Sequence, residues 1–131
     1  MIAMKEIRDA VQRIVRKFHP QRVILFGSYA RGDVTEDSDV DLLVIMPFEG
    51  KPLNKSVEVL LEADIRFPAD ILVRTPQMVR RRLTIGDCFM RDILEKGKVL
   101  YAGDHRRMGG QGRRRFRARR ARVARAKTSR V

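Results

Sequence analysis

The chain has 131 residues, 44% of them hydrophobic, enough for one compact domain with a single core. Its net charge is +13, but residues 1–102 carry 17 Lys and Arg against 15 Asp and Glu, whereas 103–131 carry 12 against Asp104 alone. The basicity therefore belongs to a C-terminal tail and does not make the folded part a nucleic-acid binder.

No apolar run approaches the roughly 18–20 residues of a membrane span. The N-terminus is charged from Lys5 onward and lacks an apolar h-region, which argues against a secretory signal. Cys88 is the only cysteine, so there is no internal disulfide, in keeping with a reducing cytoplasm. With His19 and His105 it forms too sparse a set for structural zinc.

In chain order, Ile7, Val11, Ile14, Val15 and Phe18 recur at helical spacing, and His19-Pro20 ends that helix. Arg22–Phe26 is short, apolar and partly β-branched, a buried strand, followed at once by Gly27-Ser28 as a tight turn into a short helix. Asp39–Ile45 reads as a second strand. Residues 49–52 have turn composition, and Leu53–Ile65 is helical. Ala69–Val73 is a third strand. Thr75-Pro76 begins a helix with threonine at the N-cap and proline in its first turn. The pattern is interrupted near Gly86, resumes to Leu94 and is closed by Gly97 as a C-terminal glycine. Lys98–Tyr101 is a last strand. The alternation predicts an α/β (α+β) domain over 1–102 with a small sheet flanked by helices, then a basic tail over 103–131.

The chemistry concentrates in residues 27–44, GSYARGDVTEDSDVDLLV. Side chains two apart on a strand share a face, so Asp39 and Asp41 point one way while Val40, Leu42 and Val44 point into the core. Like charges about 7 Å apart beside a core are unfavourable unless a cation neutralises them. Two magnesium ions would do so and would suit phosphoryl transfer. Asp70-Ile-Leu-Val73 echoes Asp41-Leu-Leu-Val44, so Asp70 is a third carboxylate able to reach the same cations or to accept a proton. Gly27 permits close backbone approach of phosphates, Ser28 adds a hydroxyl, and Arg31 neutralises a phosphate oxygen. Singly these features have plainer readings: a solvated strand edge, a common turn, a capping acid, a surface charge. Their combination at this spacing is what singles them out.

Gly27-Ser28, a ten-residue spacer and Asp39-Val40-Asp41 resemble the signature of the DNA polymerase β-type nucleotidyltransferase superfamily. PADILVRTPQMV and GDCFMRDILEKGKVLYAG are similar to its small prokaryotic branch, the minimal nucleotidyltransferases, which include MntA-type antitoxins. The resemblance spans roughly 4–102. It implies that Asp39, Asp41 and Asp70 form a catalytic, magnesium-binding set and that Gly27 and Ser28 contact the nucleotide, with Arg31 in the same motif. It also implies ATP as substrate and AMP transfer to a hydroxyl of a partner protein. Minimal members commonly sit beside a HEPN-type toxin and act as its antitoxin. Two other acceptors, a small molecule or an RNA end, leave the chemistry unchanged. A non-catalytic antitoxin that works by binding alone is the contrasting reading. The tail is expected to be disordered, with weak nucleic-acid binding as its functional alternative.

Overall fold

A computed structural model describes residues 1–103; the tail expected over 103–131 lies, beyond Gly103, outside the described residues. Nine elements follow in order: α1 (Met4–Phe18), β1 (Arg22–Phe26), α2 (Ser28–Arg31), β2 (Val40–Ile45), α3 (Pro52–Glu62), β3 (Ala69–Arg74), α4 (Pro76–Thr84), α5 (Cys88–Lys96) and β4 (Lys98–Ala102). The strands form one mixed sheet ordered β3-β2-β1-β4. β1 lies antiparallel to both β2 and β4, while β2 and β3 run parallel and are joined through α3, as a parallel pair requires a crossover.

Strand periodicity divides the interior in two. Val23, Leu25, Val40, Leu42, Val44, Ile71 and Val73 face α1 and α3, where they meet Ile7, Val11, Ile14 and Val59. Ile24, Phe26, Leu43 and Ile45 face the other way, against Val79 of α4 and Met90 and Ile93 of α5. The first core is the larger, and its strand residues are almost all fully buried.

Helix boundaries follow local chemistry. Thr75 Oγ1 accepts from Met78 N (3.1 Å) at the start of α4. Gly86 turns the chain at φ +82, and Asp87 Oδ1 then accepts from Phe89 N (2.9 Å) and Met90 N (3.2 Å) to open α5. The interruption expected near Gly86 is thus a break between two capped helices.

Several details differ from the sequence expectation. Asp39 precedes β2 instead of opening it, because regular pairing begins at Val40. Pro52 opens α3 instead of belonging to the preceding turn, and α3 stops at Glu62, short of Ile65. Beyond that stop, Arg13 of α1 donates from Nε to Ala63 O (2.7 Å) and from Nη2 to Asp64 O (3.4 Å), which satisfies carbonyls at the helix end. His19 leaves the right-handed helical region before Pro20 and ends α1 as expected, in the left-handed region (φ 50, ψ 55). Gly97 is not left-handed at all (φ −72, ψ 164). It is needed for space: a β-carbon there would lie 2.5 Å from Ile93 O and 2.6 Å from Ile24 Cγ2.

Candidate active site

The face of the sheet under α4 and α5 ends in carboxylates. Asp41 has the same strand parity as Leu43 and Ile45, so it belongs to that face. It pairs with Phe26 on β1 and with Asp70 on β3. Directly paired residues of parallel strands project to the same side, so Asp70 joins it. Asp39 precedes Asp41 by two residues in the approach to β2, after a small turn in which Ser38 Oγ accepts from Thr35 N (2.9 Å).

Asp39 and Asp70 are exposed and Asp41 is half-buried. Burial is the main cause that pushes the Asp41 carboxyl above its ordinary value of 3.8; Asp70 and Asp39 push it further, and Arg31 opposes them. The three sequence-predicted aspartates therefore share one electrostatic environment. Among the described residues, no three His, Cys, Asp or Glu side chains converge as a ready-made metal cluster.

Gly27 separates β1 from α2 in a conformation (φ 74, ψ −155) that only glycine adopts readily. A β-carbon at this position would fall on Asp41 Oδ2 and lie 3.1 Å from Asp41 Cγ. The half-buried carboxylate is thus seated directly against a bare backbone. Gly27 O accepts from Ala30 N and Arg31 N, both at 3.0 Å, which winds α2 immediately after it. Arg31 makes an exposed ion pair from Nε to Asp33 Oδ2 (3.2 Å). Such a pair contributes little and leaves the guanidinium available.

A cleft of about 470 Å³ is lined by Gly27, Ser28 and Arg31 together with Asp39 and Asp41. This volume is in the range of small-ligand sites. Asp70 is not among the lining residues; it neighbours Asp41 from β3, an edge strand of the sheet. The cleft is also lined by α5, through Phe89, Asp92, Ile93 and Lys96. Sequence reading gave none of these four a role. A signal was present, since a capping Asp87 is followed by residues at i, i+3, i+4 and i+7 on one helical face. Among the described residues, no helix is long and apolar enough to cross a membrane.

Comparison with known proteins shows the family. A relative from Methanocaldococcus jannaschii, named "Putative protein adenylyltransferase", is 32% identical over 100 residues, covering 74% of this chain and 96% of the relative. The protein adenylyltransferase MntA of Thermococcus cleftensis is 34% identical over 82 residues, covering 57% of this chain and 81% of that protein. A chain in a crystal structure of a toxin–antitoxin with AMP-PNP superposes with a TM-score of 0.50 at 19% identity, covering 73% of each chain, which bears on the fold alone. The sequence model of the family described as Nucleotidyltransferase domain matches residues 4–102, from the first helix through the last strand. The chain belongs to that family and is a minimal nucleotidyltransferase.

Proposed function

We propose that this nucleotidyltransferase moves AMP from ATP onto a hydroxyl of a partner protein, breaking the bond between the α- and β-phosphates and releasing pyrophosphate, with Asp39, Asp41 and Asp70 as the catalytic, magnesium-binding set. The carrying observation is the seating of Asp41 against Gly27, half-buried, with two further carboxylates raising its proton affinity. Asp41 and Asp70 on one sheet face, with Asp39 two residues before Asp41 and Arg31 opposing their charge on Asp41, are hard oxygen donors of the kind magnesium takes. When bound, magnesium would supply charge neutralisation at the phosphates and at the attacking oxygen.

The chain's own residues divide the remaining work. Gly27 lets a phosphate chain approach the backbone, and Ser28 offers a hydroxyl at the start of α2. Arg31 draws phosphate oxygens into the cleft. Asp70, beside Asp41 yet outside the cleft lining, is suited to accept the proton of an acceptor hydroxyl arriving over the β3 edge. Positioning and fixed charge then supply most of the acceleration.

The protein acceptor is supported by the names of the adenylyltransferase relatives. We assign the HEPN class of toxin to that partner on the family resemblance. The division into a transferase domain over 1–102 and a separate basic tail belongs to the same proposal.

The test is transfer of label from α-phosphate-labelled ATP to the co-purified partner. Asp39→Asn with Asp41→Asn should remove magnesium-dependent labelling by about a hundredfold or more while the fold, followed by circular dichroism, survives. Asp70→Asn should lose transfer yet keep ATP binding. Undiminished labelling in the double variant would overturn the assignment.

A further inference from the structure

We infer that Phe89 is the platform on which the nucleotide base stacks, so that α5 forms the base subsite of the cleft. This rests on the nucleotidyl-transfer reading and extends it to a part of the site that the acidic residues and Gly27-Ser28 leave undescribed. If the phosphates lie against Gly27 and the aspartates, the base must occupy another part of the same cleft. The rest of its lining includes the α5 stripe of Phe89, Ile93 and Lys96.

Two aromatic side chains line the cleft, Phe26 and Phe89. Phe26 is 9% exposed and committed to the core, whereas Phe89 is 55% exposed. The two rings meet nearly at right angles (82°) with centroids 5.8 Å apart, a contact that steadies Phe89 while engaging only part of it. Tyr29, on α2, is spent elsewhere: it packs against the α1/α3 core, and its hydroxyl accepts from Ile2 N (3.0 Å).

The local build supports a fixed platform. Phe89 is in the first turn of α5, where its own N–H donates to Asp87 Oδ1 (2.9 Å). On the same helix, Met90 and Ile93 are buried in the core, anchoring the helix beneath the exposed ring. Phe89 is a large aromatic left half in water in the lining of the same cleft that holds Asp39, Asp41 and the Gly27-Ser28 turn. A π-face offered to a heterocycle accounts for it, because base–aromatic stacking needs a held ring with open surface.

Binding of ATP and of inorganic tripolyphosphate, each with magnesium, to the full chain by calorimetry tests this. Phe89→Ala should weaken ATP by about tenfold or more and leave tripolyphosphate unchanged. Phe89→Trp should retain ATP affinity, whereas Phe89→Leu, which still covers Phe26, should not. Equal losses for ATP and tripolyphosphate would make Phe89 a structural residue and overturn the inference. So would unchanged ATP binding in Phe89→Ala, with the nucleotide reading left standing. If the unmodified chain bound neither ligand, both readings would fall together.

Discussion

On the α1/α3 side of the sheet, β2 contributes Val40, Leu42 and Val44, all fully buried in a continuous apolar core. On the α4/α5 side the same strand contributes Leu43 and Ile45 to a smaller core, but its first side chain on that face is the half-buried Asp41. One strand therefore serves two ends through its two-residue period. The larger core holds the sheet rigid, so the other face can keep an unfavourable charge cluster in place. Stability and chemistry are separated by one residue of register, and each can be attacked without the other.

The largest effect should come from the single position that touches both. Gly27→Ala places a β-carbon on Asp41 and strains a φ of +74. Nucleotidyl transfer should fall by about a hundredfold, since small displacements of reacting groups carry penalties of that order. Backbone strain should also lower stability by about 1–3 kcal/mol. Activity close to that of the unmodified chain would mean that the Gly27–Asp41 contact is dispensable. Leu42→Ala is the next strongest and acts on the α1/α3 side alone. A fully buried leucine lost to a cavity costs about 2–5 kcal/mol. Denaturant unfolding should register this, while activity per folded molecule stays close to that of the unmodified chain.

Asp41→Asn sharpens the comparison by separating the two properties at one site. The folded-state carboxyl titrates above its ordinary 3.8, so the folded chain holds a proton that the unfolded chain has already released. Stability therefore declines as pH rises from about 3.8 through the folded value, and the penalty is fully present above it. Removing the charge should make the variant more stable than the unmodified chain at neutral pH, by thermal unfolding, while transfer is lost. That advantage should vanish below the ordinary carboxylate range. A variant less stable at neutral pH would show that Asp41 is held by contacts worth more than its charge costs.

Much of this site could be read from the sequence because its parts are local. The apolar strand Arg22–Phe26, the Gly27-Ser28 turn and Asp41 opening a buried run each follow from short-range pattern. The pairing of Asp41 with Asp70 follows from two strands with the same acid-led apolar pattern. What escaped was set by tertiary packing. Phe89, Ile93 and Lys96 have an ordinary amphipathic spacing, and only the placement of α5 beside Gly27 turns that stripe into a cleft wall. Gly97 does end α5, but a chain pattern shows where a helix ends and not that a β-carbon there would lie 2.6 Å from Ile24 Cγ2 on β1. That Asp70 stands outside the cleft lining likewise depends on where β3 falls in the sheet.

The smallest effects lie within the α4/α5 side, where two helices begin with similar caps. Thr75 caps α4 through Met78 N, and Asp87 caps α5 through Phe89 N and Met90 N. Either residue changed to Ala should reduce stability by about 1 kcal/mol. Their consequences for the cleft should differ, because α5 lines it and no residue of α4 does. Asp87→Ala loosens the first turn that carries Phe89, so ATP affinity should decline by a few-fold, within the range a lost cap allows. Thr75→Ala should leave ATP affinity as it was. Equal declines in both variants would mean that the cleft responds to the general stability of this face and that the cap of α5 has no particular part in holding its wall.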